Sequence, residues 1–332
     1  MTETKDTAPL IVSIRCITYN HEPYIKQCLD GFIMQKTNFR FEAIIHDDAS
    51  TDGTANIIRE YAEKYPDIIK PIFETENQFS KHNGSIRRIM EAACKGKYIA
   101  MCEGDDYWTD PLKLQKQVDW LETHPDCTLV FSNAYIHFEE GASPRMAKNF
   151  DINGIPQDRL LKEDMEDRDY TFEETWNTWF HPTASWVFRR EILDSEIYKK
   201  FLSFPTSFGG SVKLRNACSF LGKIHSFSTP MCVYRIHQGG ITQNKDTDYS
   251  TNFIDELFYI KTCKLDRSAW IYLKKKYTPK IMKSIILICI GKGNKKNGWH
   301  SLKPVIKYYP RLFLLSIMEL PLYFFKKISN HE

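Results

Sequence analysis

Three carboxylates stand close together in Glu103-Gly104-Asp105-Asp106, directly after an apolar run. Carboxylates crowded at one strand end repel each other unless a cation or hydrogen bonds compensate them. Because Mg²⁺ and Mn²⁺ favour carboxylate and phosphate oxygens, Asp105 and Asp106 are candidate ligands of a metal that also contacts a diphosphate. The same residues are typical of a turn in which an aspartate caps the next helix, and the tetrapeptide alone does not separate the two interpretations.

A second polar segment runs from Asp47 to Thr54 and also follows an apolar run. In its plain interpretation, Ser50, Thr51 or Asp52 caps a helix and Gly53 allows a tight turn. In its functional interpretation, Asp48 bonds a nucleobase edge while the helix start faces a diphosphate. This segment alone is a weak signal.

Strand-like and helix-like segments alternate in the first part of the chain. We predict strands at residues 11–17, 41–46, 68–73, 98–102 and 128–135. We predict helices at residues 23–35, 54–64, 85–94 and 112–124. This alternation indicates an α/β fold with a mostly parallel central sheet and helices on both faces. Ligands of such sheets bind at the carboxyl ends of the strands, which is where the polar clusters fall.

The middle of the chain is less regular. Residues 141–169 are polar and predict an excursion over the surface. Residues 170–188 return to an aromatic, core-like composition, residues 222–235 predict a pair of strands, and residues 236–250 predict a flexible polar loop.

Four motifs in this order resemble family 2 glycosyltransferases. They are Tyr19-Asn20-His21-Glu22-Pro23-Tyr24, the Asp47 to Thr54 segment, Gly96-Lys97-Tyr98 with the acidic motif, and the stretch from Tyr234 to Gly240. The resemblance covers residues 10–242 and implies a GT-A fold. We therefore expect a nucleotide-sugar-binding and catalytic domain at residues 1–242 and a helical C-terminal extension at residues 243–332.

The resemblance also implies roles for single residues. Tyr19 and Asp48 would contact the base, which in this family is most often uracil, and the donor nucleotide site would include the set Thr18, Tyr19, Asn20, Asp48 and Asp105. Asp105, Asp106 and His237 would hold Mn²⁺ or Mg²⁺ near the diphosphate. Arg235 would contact phosphate or pair with nearby acids.

The position of the general base departs from the family pattern. Inverting members need a base for the acceptor hydroxyl, commonly an Asp after a Gly and upstream of a later Gly-Lys pair. Here Gly210 is followed by Ser211, and the later pair is Gly222-Lys223. A neutral serine hydroxyl is too weak a base at neutral pH. Three interpretations remain open: the base is another residue, the register of the match is wrong, or the chain is a weakened nucleotide-sugar-binding or scaffold protein.

The aromatic segment around His181 and Trp186, with Trp176 and Trp179 before it, is a candidate for the acceptor side of the site, because aromatic faces stack on sugar rings. Core packing is the commoner role of such tryptophans, and both interpretations remain open.

The C-terminal part is strongly basic. From Lys261 onwards there are 16 Lys and Arg against 3 Asp and Glu, and the rest of the chain has 29 against 39. Two apolar stretches, residues 281–290 and 312–325, are too short or too interrupted for a spanning helix, which needs about 20 apolar residues. Their flanking lysines and aromatic residues favour helices in the interface of an anionic membrane. The alternative is a helical subdomain packed on the main domain.

The leading hypothesis is transfer of a sugar from a nucleoside diphosphate sugar, with UDP preferred, to a glycan or lipid-linked acceptor in surface glycan synthesis. A nucleotidyltransferase is disfavoured, since residues 18–24 contain neither the glycine nor the lysine of a triphosphate-binding loop. Nucleic acid is not expected as a partner. The nine cysteines lack C-x-x-C spacing and the N-terminus resembles no secretion signal, so we expect a cytoplasmic location, peripheral to the inner face of the membrane.

Overall fold

The computed structural model describes residues 8–140, 142, 158–171, 174–175, 181–203, 210–240, 306, 310, 313–314 and 316–318. The chain divides into two units, residues 1–200 with 210–245 and residues 201–209 with 246–332. The predicted boundary at 242 stays a prediction. Trp176, Trp179 and the apolar stretch at 281–290 lie outside the described residues.

The first half of the chain alternates strands and helices, as predicted. The strands are β1 (Leu10–Thr18), β2 (Arg40–Asp47), β3 (Ile69–Phe73) and β4 (Tyr98–Met101). The helices between them are α1 (Glu22–Ile33), α2 (Thr54–Lys64) and α3 (Ser85–Ala93). All of these strands are parallel to their neighbours in the order β3-β2-β1-β4, because each helix returns the chain to the same end of the sheet.

The second half extends this sheet. Its elements are β5 (Tyr107–Trp108), α4 (Lys113–Thr123), β6 (Cys127–Phe138), β7 (Asp158–Leu160), β8 (Arg168–Tyr170), β9 (Val187–Arg189), α5 (Glu196–Ser203), α6 (Gly210–Leu221) and β10 (Lys223–Ile236). The full order is β3-β2-β1-β4-β9-β6-β10-β5, with β7 beside β6 and β8 beside β10. The long ladders are parallel, and the antiparallel ones involve the short strands β5, β7, β8 and β9.

Two predictions for the middle of the chain were wrong. Residues 222–235 form the single long strand β10 and not a strand pair, because β10 pairs with β6 along its whole length. The register shifts on both sides of Pro230, which has no N–H to donate, so the proline is absorbed as an irregularity. The stretch at 141–169 is not wholly irregular either, since it contains β7 and the start of β8.

Side chains cover the sheet on both faces. All four residues of β4 are buried, which requires packing on each side. Val12 and Ile14 share a core with α1 and α4, whose buried members include Ile25, Leu29, Phe32, Leu114, Val118 and Leu121. Ser13 points to the opposite face, where its Oγ accepts hydrogen bonds from the N–H groups of Lys95 and Gly96 after α3. Each large apolar side chain in this core stabilises the fold by about 1.5–3 kcal/mol.

Gly96, which precedes β4, is a point of close approach. A Cβ there would lie 2.5 Å from the backbone nitrogen of Ser13. Only glycine therefore lets the chain enter β4 directly beside β1.

In the described part of the chain, no helix is both long and apolar enough to cross a bilayer.

Candidate active site

The carboxyl ends of β1, β2 and β4 meet at one edge of the sheet. The carbonyl of Thr18, the last residue of β1, accepts a hydrogen bond of 3.0 Å from the N–H of Asp48 after β2. The neighbouring carbonyl of Ile17 accepts one of 2.9 Å from Gly104 after β4. The three polar segments singled out in the sequence thus form one site, as parallel strands require.

Gly104 allows the acidic segment to approach β1. A Cβ at this position would lie 2.6 Å from both Cβ and Oγ1 of Thr18, and 3.1 Å from Nδ1 of His21. Any larger residue would push the carboxylates that follow away from the end of β1.

Asp105 is the centre of a cluster with two histidines. Its Oδ2 lies 3.1 Å from Nε2 of His237, which follows β10, and 3.9 Å from Nε2 of His21, which precedes α1. One ligand atom from each of the three residues lies within 4.8 Å of the others. Carboxylate oxygen and imidazole nitrogen are both ligands of divalent transition metals, so this set fits a metal ion. His21 was not assigned from the sequence, although it stands inside the Tyr19 to Tyr24 motif.

The charges in this cluster are coupled. Burial acts to raise the pKa of Asp105, but the hydrogen bond from His237 and the nearby His21 imidazole bring it below its ordinary value. Burial lowers the pKa of His21, and Asp105 only partly opposes that effect. The cluster therefore favours an ionised carboxylate beside a neutral imidazole, which is the protonation state that metal binding requires.

Asp106 has different neighbours from Asp105. It is 3% exposed, and its Oδ1 accepts a hydrogen bond of 2.9 Å from the backbone N–H of Arg235. Burial first, and then the negative charges of Asp105 and Glu103, raise its pKa well above the ordinary value. Asp106 is outside the three-residue cluster, and its predicted metal role stays a prediction.

Arg235 ties the acidic segment to β10 and α1. Its Nε donates to the carbonyl of Asp105 at 2.8 Å, and one terminal nitrogen donates to Gln27 at 2.6 Å. The other terminal nitrogen forms an ion pair with Glu139. The guanidinium also lies over the rings of Tyr24 and Tyr107, at 4.9 and 5.0 Å. Of the two roles predicted for Arg235, the structure contains the pairing with an acid.

Glu103, which was left without a role in the sequence, faces the segment after His181. Its Oε2 accepts a hydrogen bond from the hydroxyl of Thr183. Burial raises the pKa of Glu103, and that hydrogen bond opposes the rise. The contact joins the acidic motif to the segment predicted to lie on the acceptor side.

The loops after β1 and β2, which are predicted to bind the nucleoside, contain tight turns. Asn20 and Ala49 have positive φ angles of 54° and 62°. The Asn20 side-chain oxygen accepts from the N–H of Thr51 at 2.8 Å, which joins the loop after β1 to the loop after β2. Positive φ in an alanine costs of order 1 kcal/mol and is typical of functional loops. Tyr19 is 43% exposed, so its ring is open to a ligand.

The side chain of Asp48 is buried and already bonded to backbone. Its two carboxylate oxygens accept hydrogen bonds from the N–H groups of Gln78 and Phe79, at 2.7 and 3.0 Å. Each oxygen keeps a second lone pair, so these bonds and the predicted base contact are compatible. Thr18 Oγ1 is buried and has no hydrogen-bond partner in the described part of the chain.

Gly53 and not Ser50, Thr51 or Asp52 is the N-cap of α2, but Asp52 still bonds N–H groups at the starts of two helices. Asp52 Oδ1 accepts from the N–H of Thr54 at the start of α2, and Asp52 Oδ2 accepts from the N–H of Glu22 at the start of α1. The Glu22 carboxylate in turn accepts a hydrogen bond of 2.8 Å from the N–H of Gly53. The capping residues thus hold the two loops together.

The two candidate acceptor residues are buried. His181 is 7% exposed with its ring 4.3 Å from that of Phe131, and Trp186 is 5% exposed. Burial lowers the pKa of His181 well below its ordinary value, and the nearby positive charges of Lys162 and Arg215 lower it further. Their acceptor role stays a prediction.

Ser211 lies in the first turn of α6. The residue before it, Gly210, faces Arg87 of α3, because a Cβ there would lie 3.9 Å from Arg87 Cδ. The assignment of Ser211 to the base position stays a prediction.

Known proteins share both the fold and the sequence pattern of this chain. TarS of S. aureus in complex with UDP matches with a TM-score of 0.56 and 17% identity, over 87% of this chain and 74% of that chain. The corresponding TarS structure with UDP-GlcNAc matches with the same TM-score of 0.56 and 16% identity, over 94% of this chain and 80% of that one. The protein therefore has the GT-A fold.

The sequence comparisons are more specific. Residues 13–196 match glycosyl transferase family 2, and the chain belongs to that family. An uncharacterised protein of Mycobacterium tuberculosis is 37% identical over 241 residues, which are 71% of this chain and 62% of that protein. The teichuronic acid biosynthesis glycosyltransferase TuaG of Bacillus subtilis is 30% identical over 131 residues, 40% of this chain and 49% of TuaG. The chain thus spans 62% of the length of its M. tuberculosis relative.

Proposed function

We propose that this glycosyltransferase moves a sugar from a UDP-sugar to a hydroxyl group of a glycan or lipid-linked acceptor, with inversion at the anomeric carbon. The observation that carries the proposal is the cluster of Asp105, His237 and His21 at the sheet edge where the nucleotide loops end. TarS, which has the same fold, binds UDP and UDP-GlcNAc. TuaG bears the name of a polysaccharide pathway, which supports a glycan as the acceptor.

The site residues suit a diphosphate leaving group. When bound at this cluster, Mn²⁺ or Mg²⁺ would supply positive charge that stabilises the departing diphosphate. Asp105 and His237 would hold the ion. Arg235 would keep Asp105 in place through its bond to the Asp105 carbonyl. Tyr19, the exposed aromatic side chain at the end of β1, would stack on the base.

The proposal is tested by donor binding and turnover. The full chain is titrated with UDP, GDP, CDP and TDP, with Mn²⁺ or with EDTA, and is then assayed for hydrolysis and transfer with the matching sugars. We expect UDP to raise the melting temperature only when Mn²⁺ is present, since a ligand of the folded state stabilises it.

Asp105→Asn is expected to remove the metal-dependent part of that effect. The matched control is Asp126→Asn, which changes a carboxylate next to β6 that pairs with Lys223 instead. The proposal fails if no nucleoside diphosphate binds, or if Asp105→Asn and Asp126→Asn behave alike.

Ser211 supports a second candidate function. A chain that keeps the nucleotide site but has serine in the base position would bind a nucleotide sugar without transferring it. Single-turnover assays with a bound donor separate the two functions: donor binding with neither hydrolysis nor transfer identifies a binding or scaffold protein.

We also propose that the C-terminal unit contacts an anionic membrane surface. Leu314, Ile317 and Met318 are helical and 58%, 41% and 73% exposed, whereas Ser316 in the same stretch is buried. A helix that exposes large apolar side chains in a segment rich in lysine suits the headgroup region of a bilayer. Flotation of the full chain with anionic, but not zwitterionic, vesicles is expected, and Leu314→Glu with Met318→Glu should reduce it. Equal recovery with both kinds of vesicle, or none with either, contradicts this proposal.

A further inference from the structure

His21 is held rigidly by its backbone. Its N–H donates to Thr54 Oγ1 at 2.9 Å, and its carbonyl accepts from Tyr24 and Ile25 at 2.9 and 2.8 Å. These bonds attach it both to α2 and to the first turn of α1. The backbone of His21 is therefore fixed beside the acidic segment.

The ring of His21 is nearly enclosed, yet neither of its nitrogens forms a hydrogen bond with the described residues. Nδ1 is fully buried and has no partner. Nε2 is 3.9 Å from Asp105 Oδ2, beyond hydrogen-bond distance, and the side chain is only 16% exposed. An unsatisfied buried polar atom costs about 1–3 kcal/mol. Nδ1 carries that cost, whereas Nε2, at 3.9 Å from the Asp105 carboxylate, is the ring nitrogen placed to take a ligand that Asp105 shares.

The distances from the two imidazoles to Asp105 Oδ2 suit a metal ion, and the ligand atoms of His21 and His237 lie within 4.8 Å of each other. Two ligand atoms each about 2.1 Å from one ion are about 3 Å apart at a right angle and about 4.2 Å apart on opposite sides. The atoms of His237 and His21 lie at 3.1 and 3.9 Å from Asp105 Oδ2, inside that interval. A direct ion pair explains the 3.9 Å between His21 Nε2 and Asp105 Oδ2 less well, because Asp105 Oδ2 already bonds to His237.

We propose that His21 is the third protein ligand of this site, and that the resulting two-histidine, one-aspartate set selects Mn²⁺ over Mg²⁺. Imidazole nitrogen suits transition metals, whereas Mg²⁺ strongly prefers oxygen. Three protein ligands leave further coordination positions for diphosphate oxygens and water. The inference rests on the proposed function, since it concerns the same metal.

The test measures metal binding directly. Mn²⁺ is titrated into the full chain, with and without UDP, and the EPR signal of free Mn²⁺ gives the Kd; Mg²⁺ is then added in competition. We expect His21→Ala to weaken Mn²⁺ binding by at least about tenfold, by comparison with the loss on removing even an indirect metal contact. The excess of Mg²⁺ needed to displace Mn²⁺ should fall in the same variant. Pulsed EPR should detect two coupled imidazole nitrogens in the wild type and one in His21→Ala.

Two controls make the result specific. His82→Asn removes an exposed histidine in the turn after Phe79 and should leave the Kd unchanged. Unfolding in EDTA shows whether each variant still folds, and His21→Gln replaces His21→Ala if the smaller side chain unfolds the protein.

The possible outcomes separate this inference from the proposed function. If His237→Ala and Asp105→Asn lose Mn²⁺ while His21→Ala binds it as tightly as the wild type with two coupled nitrogens, the inference is overturned and the proposed function stands. If the wild type binds no Mn²⁺ in the presence of UDP, both fail.

Discussion

Replacement of Gly104 by alanine tests the central packing argument of the site. The added Cβ would lie 2.6 Å from the Thr18 Cβ, well inside contact distance. Thr18 has no room to retreat, because it is 1% exposed and its carbonyl is bonded to the N–H of Asp48. Gly104 is fixed as well, through its own N–H bond to Ile17 at 2.9 Å. Overpacking of this kind costs about 1–3 kcal/mol, so we expect about 2 kcal/mol for Gly104→Ala.

The strain should also appear in metal binding. Asp105 follows Gly104 directly, so a displaced backbone would move its carboxylate away from His237. We expect the urea midpoint in EDTA to fall and the Kd for Mn²⁺ to rise in the same variant. Both are measured on the full chain, by denaturation and by EPR titration.

A matched control and a rescue make the prediction sharp. Gly210→Ala adds the same methyl group where the nearest atom, Arg87 Cδ, is 3.9 Å away, and its stability should change by no more than about 1 kcal/mol. Thr18→Gly removes the atoms that the new Cβ strikes, so the double variant should recover about 1–2 kcal/mol relative to additivity. The reasoning is refuted if Gly104→Ala is as stable as Gly210→Ala and binds Mn²⁺ normally.

Three further predictions concern other parts of the protein. Arg235→Met should cost about 1–3 kcal/mol in urea denaturation, because it removes the ion pair with Glu139 and the bonds to Gln27 and to the Asp105 carbonyl. A loss below about 1 kcal/mol would contradict that role. Ser211→Asp should raise the transfer rate by about 10²-fold or more if Ser211 occupies the base position, whereas an unchanged rate, equal to that of Ser211→Ala, would place the base elsewhere. Burial lowers the pKa of Lys113 to about 8, whereas the pKa of an unfolded lysine is about 10.4. Between these two pH values the folded state binds fewer protons than the unfolded state, so the free energy of unfolding rises with pH. Lys113→Met should lose that rise with pH. At pH 7 the relief of the buried charge is offset in part, because the Gln117 oxygen loses its donor. Urea denaturation between pH 7 and 10 measures the slope, and an unchanged slope in the variant would contradict a buried charge at Lys113.

The elements that carry the site were readable from the sequence because their signals are local. The apolar runs at β1, β2 and β4 each end in a polar segment, and parallel strands bring such ends to one edge. That reasoning placed Asp48 and Asp105 in one site. The alternation indicated the mostly parallel α/β sheet, the resemblance to family 2 glycosyltransferases implied the GT-A fold, and the structural match confirms both.

Contacts between distant segments were decided by the tertiary structure. His237 meets Asp105 only because β10 pairs with β6 and returns the chain to the same edge, although the two residues are 132 positions apart. Asp105 faces two imidazoles, whereas Asp106 faces the backbone of Arg235. This difference between the two aspartates arises because β10 returns to the same edge of the sheet. A local pattern has no means of separating two adjacent aspartates, since their environments are set by strands that arrive much later in the chain.

The same reason explains β10 and His21. In the sequence, Pro230 indicates a break between two strands. In the structure, β10 continues through Pro230 with shifts in register, because it pairs with the uninterrupted strand β6. His21 reads as one residue of a loop motif, and only the meeting of α1, the acidic segment and β10 turns it into a candidate ligand. The sequence by itself determined which segments form strands, helices and polar ends, because those depend on nearest neighbours along the chain. The tertiary structure decided which side chains lie within bonding distance of one another, because that depends on distances between segments that no local pattern contains.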